Sequence, residues 1–251
     1  MTVRFHRDYE TRSACDLRKA GVHVYARDVT TGVWCMAYAV DDAPVKLWTP
    51  GQPCPPEFVE CSRNPEWVAV AHNDAFETTI ETEIMAEFYG WPIIPRERHR
   101  CTMVEALAMG LPASLENMAA ALGMDERKDM DGRKVMMQMS RPRKINPDGS
   151  IVWWDDDRRK TILYDYCRND VVVERSGEHR LLRLSDAEQE VWILDQEIND
   201  RGIYIDLAAV DAAIAIVEGE KTRLNAEMCR VTRGAVAGCS NVADLLAWAK
   251  S

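Results

Sequence analysis

Three short stretches hold residues suited to gripping metal ions beside a phosphate. "RDYET" sets Asp8 and Glu10 one residue apart, so on a β-strand both carboxylates leave the same face. Such a pair can bridge two hard divalent cations, which require oxygen ligands. Without cations the two charges repel, and a buried one tends to take a proton. "AHNDAFETTI" (71–80) offers Asn73, Phe76 and Glu77, with Asp74 as a competing carboxylate. Glu77 in a first helical turn either complements the helix dipole or faces a metal. In "YDYCRND" (164–170), Tyr166 and Asp170 are four residues apart and share one helical face. That spacing can aim a carboxylate at a metal and a phenol at the water beside it. Each pattern alone also has a plain structural reading: a solvated strand edge, a dipole partner, a core tyrosine.

The elements that must position these groups are legible in the hydrophobic pattern. "TVRFHRDYE" reads as a first strand. "GVWCMAYAV" (32–40) and "PVKLWT" (44–49) read as a hairpin, and "WVAVAHN" (67–73) as a buried central strand. "PEFVECSRN" (56–64) suits a short helix with Pro56 in its first turn. Phe76, Ile80, Ile84 and Phe88 mark one face of a helix. Leu111, Leu115, Met118 and Leu122 mark another, which stops near Gly123. Residues 124–134 read as a charged connection into a short helix, and 140–154 as a Pro/Gly-rich loop. A long helix is expected over 155–174. Ser185 with Glu188 marks the start of a further helix, which ends at Arg201-Gly202 before a short apolar, strand-like stretch. A long amphipathic helix over 207–231 and a short one in "NVADLLAWAK" close the chain.

Composition limits what such a site can serve. The 251 residues are 47% hydrophobic and 29% charged, as in a globular protein with a real core. The absence of an 18-residue apolar run or a leader-like N-terminus argues against a membrane span or signal peptide. Eight scattered cysteines without a CxxC pair argue against a zinc site or disulfide framework, and for a reducing, cytoplasmic setting. The net charge of −10 is opposite to that of a generic nucleic-acid binder. Any nucleic acid must then be held locally and through metal ions. Three basic clusters (Arg96, Arg98, His99 and Arg100; Arg141, Arg143 and Lys144; Arg158, Arg159 and Lys160) each read most simply as solvated faces.

Taken in order, DxE, NxxFE and YxxxD resemble the three motifs of the Asp-Glu-Asp-Asp exonucleases, tyrosine subgroup. The likeness is strongest to the 3′-5′ proofreading domain of phage-like family A DNA polymerases. "DLRKAGVHVYARD", "GLPASLENMAAALG", "KDMDGRKVMMQMSRPR" and "DQEINDRGIYID" extend that resemblance along essentially the whole chain. It implies an α/β fold: an RNase-H-like mixed sheet flanked by helices over 1–180. A small helical C-terminal segment, 181–251, would then resemble the start of a polymerase region whose palm, fingers and thumb are absent.

The same resemblance implies removal of nucleotides from DNA 3′ ends with two divalent cations, Mg2+ or Mn2+. Asp8 would bridge both ions, Glu10 and Asp170 would complete their ligands, and Glu77 would act through water around the second ion. Tyr166 would orient the attacking water, while Thr11, Asn73 and Phe76 would touch the terminal nucleotide. A frayed or single-stranded 3′ end is the expected substrate. One departure stands out: the family usually has Asp at the second motif, and this chain has Glu77. Two other functions compete. One is a catalytically weak DNA-binding or docking module for a separate polymerase chain, and the other is an RNA 3′ exonuclease.

Overall fold

The computed structural model describes residues 2–125 and 130–250. They fall into two compact units, Met1–Asp200 and Arg201–Ser251. The first is built on a five-stranded sheet: β1 (Val3–Arg12), β2 (Gly32–Val40), β3 (Lys46–Trp48), β4 (Trp67–Ala71) and β5 (His99–Cys101). Their order is β3-β2-β1-β4-β5, with β1 central, antiparallel to β2 and parallel to β4. The α/β class, the mixed sheet and the flanking helices are as the sequence led us to expect.

Alternation along β1 gives the sheet two different faces. Phe5 and Tyr9 point into the main core with Trp48, Phe58, Ile80, Met85 and Trp91. His6, Asp8 and Glu10 point the other way, toward the long helix Asp157–Glu178. On β2 the residues under that helix are small. Cys35, Ala37 and Ala39 pack against its Cys167 and Val171. Small side chains let the helix lie close to the sheet, which brings Tyr166 and Asp170 within reach of β1. Asp156 caps the helix through the backbone N–H of Arg159.

The expected hairpin is present as β2–β3, the Pro56 helix as Pro56–Arg63, and the central strand as β4. The 76–89 helix runs from Asp74 to Ile80, through a π turn at Glu81–Ala86, to Glu87–Tyr89. The wider turn shifts the register, and Phe88 emerges 75% exposed instead of staying on the apolar face. Part of the charged connection expected at 124–134 lies outside the described residues; the helix after it is Met130–Met139. The stretch 140–154 is not only loop. It contains a hairpin, β6 (Lys144–Ile145) and β7 (Ile151–Val152).

The helix Asp186–Arg201 shows the predicted capping box, with Glu188 accepting from both the N–H and the hydroxyl of Ser185. All of it but the last residue belongs to the first unit. The reason is contact: Gln189 Nε2 donates to the His99 carbonyl and Trp192 is buried. Residues 203–205 form no strand, and their side chains are exposed. The second unit holds the helices Leu207–Val231 and Val242–Ala249. All eight cysteines are free thiols. Among the described residues no helix is long and apolar enough to cross a membrane.

At the start of β1 the helix-facing side carries a second acidic group. His6 Nδ1 lies 2.7 Å from Glu174, and Arg4 donates to Glu178. Nearby Glu105 is raised to about 7 by burial and then by the charges of Glu178 and Glu174. Its folded pKa lies above the unfolded value, near 4.3. Between these pH values the unfolded chain loses a proton that the fold retains, so stability falls as pH rises through the window. Glu105→Gln is therefore expected to stabilise the protein by about 1–3 kcal/mol at pH 8 and little at pH 4. Thermal melts of both proteins across that range measure it, and equal gains at both ends would contradict it.

Candidate active site

Asp8 and Glu10 pair across the sheet with Ala37 and Cys35, two residues apart on β1, as the strand period requires. Immediately after Glu10 the register shifts. Glu10 faces Cys35 and Thr11 faces Val33, which leaves Trp34 as the extra residue of a β-bulge. A bulge increases local twist and re-aims the side chains around it. From the long helix, Asp170 meets the strand pair. Carboxylate oxygens of Asp8, Glu10 and Asp170 lie within 4.8 Å of one another. Glu10 and Asp170 are buried and Asp8 is partly exposed. Three carboxylates this close, opening on a cavity, form a donor set that suits hard divalent cations better than it suits an apo protein.

The cavity measures about 950 Å³. Asp8, Glu10, Thr11, Asn73, Phe76, Glu77, Tyr166 and Asp170 all line it. Asn73 lies just beyond β4 and opens the next helix in a left-handed conformation (φ 69°, ψ 48°), which Asn tolerates better than most residues. Phe76 leans on Tyr25, whose hydroxyl shares a 2.7 Å hydrogen bond with that of Thr11. Tyr166 is 1% exposed. Burial first, then the charges of Asp170, Glu10 and Asp8, hold its phenol well above the ordinary tyrosine value, so it stays protonated.

Glu77 stands outside the three-carboxylate cluster but feels it. Burial, then the charge of Asp8, push its carboxyl well above the usual range. Its Oε2 is buried and has no hydrogen-bond partner among the described residues. An orphaned carboxylate oxygen is costly unless something outside the chain satisfies it. A cation, or its water, fits that need.

Asp74 is a different kind of residue. It does not line the cavity, because it faces the opposite side of β1. There Arg7, fully buried, donates to Asp74 at 2.8 Å and to Glu81 at 2.6 Å. His99 Nδ1 lies 3.1 Å from Asp74, and Thr78 donates to it at 3.0 Å. Burial works against ionisation here, yet His99 and Arg7 hold Asp74 down at about 2. The clamp fixes two turns of one helix to β1 and so sets where Glu77 points. Sequence reading missed it, although an arginine on the core-facing register of a strand was its visible trace.

In the first basic cluster, Arg98 and His99 are buried rather than solvated. Arg98 donates to the carbonyls of Cys61, Ser62 and Asn64 and so caps the helix Pro56–Arg63. His99 belongs to the Asp74 network. In the third, Arg159 pairs with Asp156 and Lys160 with Asp155. Arg141, Arg143 and Lys144 instead line the cavity.

No protein-family model matches this chain. It is 34% identical over 233 residues to a DNA polymerase of Bacillus phage SP02, a match covering 90% of the chain and 35% of that protein. Among solved structures, a family B DNA polymerase from Pyrobaculum calidifontis gives a TM-score of 0.47 at 16% identity, over 72% of this chain and 24% of that one. An apo nuclease gives 0.42 at 12%, over 70% of each chain. Brucella melitensis NrnC with bound Mg2+ gives 0.42 at 11%, over 77% and 81%. On the sequence match alone, the chain is a relative of a phage DNA polymerase, of which it spans about a third.

Proposed function

We propose that this protein is a metal-dependent 3′-5′ exonuclease that removes nucleotides from DNA ends, as in polymerase proofreading. The observation that carries the reading is the cluster of Asp8, Glu10 and Asp170 on the wall of a cavity large enough for a nucleotide. Two divalent cations bound there, Mg2+ or Mn2+, would supply the charge neutralisation that an in-line displacement at a phosphodiester needs. Asp8, as the shared ligand, would hold both ions, with Glu10 and Asp170 beside it and Glu77 acting through water. With its phenol pKa held high, Tyr166 would orient the attacking water by hydrogen bonding and not remove its proton. Asn73, Phe76 and Thr11 shape the wall against which the terminal nucleotide would rest. The net charge of −10 is then no obstacle, since the carboxylates gather cations and the cations gather phosphate.

The test is degradation of a single-stranded deoxyoligonucleotide labelled at one end or the other, with magnesium, manganese or chelator. Stepwise loss of 5′-mononucleotides from the 3′ end, abolished by chelator, is the expected result. Equal or faster loss of a ribo-oligonucleotide would move the assignment to RNA. Binding without turnover would favour a docking module beside a separate polymerase chain, a reading prompted by the exposed Ile214, Ile216 and Val217 of Leu207–Val231.

Within this mechanism Tyr166→Phe is expected to lower kcat by a factor on the order of 10 to 1,000, the range for a group that positions a reactant. Metal affinity should stay within about twofold by calorimetry, because the hydroxyl binds no charge. A collapse of metal binding would show that the phenol holds the ion site together instead.

A further inference from the structure

The cavity that holds the carboxylates is also lined by basic residues. Arg18, Arg141, Arg143 and Lys144 all line the cavity and are exposed. In a chain of net charge −10, cations usually find carboxylates, as Arg159 and Lys160 do. Among the described residues, none of these four has an ion-pair partner. Uncompensated cations lining an acidic cavity make a surface for a polyanion whose end reaches the acids.

Arg141, Arg143 and Lys144 sit on a braced element. They enter the β6–β7 hairpin, whose five-residue turn is closed by Asn146 N–H donating to the Ser150 carbonyl. At its root, Ser13 N–H donates to the Ser140 carbonyl at 3.1 Å and Arg143 N–H to the Val152 carbonyl at 2.9 Å. Trp153 and Trp154 follow β7 and pack near the core of Trp34, Met139 and Leu163. Arg12 lies over Trp34 and Trp153, at 4.3 and 4.9 Å from the ring centroids, and Arg159 lies over Trp154 at 4.7 Å. Arg143 also stacks on Trp154, at 4.9 Å, so part of its role is structural. Among the described residues, the side chains of Arg141 and Lys144 make no such stack or ion pair. Met136 and Met137 line the same cavity and offer pliable apolar contact.

We propose that Arg141 and Lys144, with Arg18 on the same cavity, form a phosphate track. It would hold the backbone of a single DNA strand upstream of the terminal nucleotide. The proposal rests on the exonuclease reading above and adds to it the groups that hold the rest of the strand. Contacts of this kind fix position without reading sequence. They predict that a substrate too short to reach the hairpin gains nothing from it.

The test uses the full chain carrying Arg141→Gln and Lys144→Gln together, which spares the Arg143–Trp154 stack. For a single-stranded 12-nucleotide DNA, KM is expected to rise on the order of tenfold with kcat within about twofold. The slope of log KM against log salt should fall by roughly 1 to 1.5, from about 0.7 counterions released per phosphate contact on single strands. Hydrolysis of the p-nitrophenyl ester of thymidine 5′-monophosphate, which has no upstream phosphodiester, should be unchanged. Arg158→Gln, exposed and outside the cavity, serves as the control for charge alone. An unchanged KM and salt slope in a folded double variant would overturn the track while leaving the exonuclease reading intact. A wild-type protein that cleaves neither substrate would overturn both.

Discussion

Asp8→Ala should reduce 3′-5′ degradation by at least about a thousandfold, roughly 4 kcal/mol of barrier, and leave a protein that is folded. Of the three clustered carboxylates Asp8 is the partly exposed one, and its charge is felt by both Glu77 and Tyr166. On the exonuclease reading proposed above, it would be the shared ligand. Stability should move the opposite way from activity. Removing one of several crowded negative charges relieves repulsion, so the variant should melt no lower than wild type in chelator. Magnesium or manganese should raise the wild-type melting temperature, since a ligand that binds only the folded state stabilises it. The variant should lose most of that rise. Near-normal turnover at saturating metal would remove Asp8 from the mechanism, and an unchanged metal-dependent shift would remove it from the metal site.

What the sequence revealed follows from what periodicity can carry. Two carboxylates at i, i+2 on a strand and a Tyr–Asp pair at i, i+4 on a helix are local patterns. The structure brings the three motifs to one cavity. The first-unit helices Leu17–Ala20 and Val22–Arg27 were too short to show a period, and β5 was hidden inside what looked like a basic surface cluster. Arg98 and His99 are buried because their partners lie far away in sequence. The carbonyls of residues 61–64 hold one, and Asp74 with Arg7 the other. No window of neighbouring residues contains that information. The β6–β7 hairpin was likewise masked by its own turn chemistry, since Asn146 to Gly149 read as loop and the two-residue strands beside it are too short to alternate. Phe88 failed for a different reason: a four-residue repeat predicts a helical face only while the helix keeps its register, and here a π turn intervenes.

The same structure separates Glu77 from Asp74 at the second motif, where two acids three residues apart compete for one role. Glu77 lines the cavity with an unpartnered buried oxygen and a pKa pushed up by burial and Asp8. Asp74 is spoken for by Arg7, His99 and Thr78 on the other side of the sheet. Glu77→Gln is therefore expected to cost well over tenfold in rate, more than about 1.4 kcal/mol of barrier, with melting temperature held or raised. Neutralising a buried carboxyl that resists ionisation removes a penalty rather than a bond. Glu77→Asp should stay within about tenfold, because water-mediated contact tolerates the shorter reach. Asp74→Asn should behave in the reverse sense. It leaves the Arg7 charge with one buried carboxylate fewer, which should destabilise the fold by about 3 kcal/mol, the low end for breaking a buried pair. Rate per folded molecule should change only a few-fold. The decisive measurement sets the variants side by side, with thermal melts to count folded protein and a magnesium titration of the rate. If Asp74→Asn remained as stable as wild type but lost its dependence on magnesium, while Glu77→Gln worked normally, Asp74 would hold the cation and Glu77 would be only the helix's dipole partner.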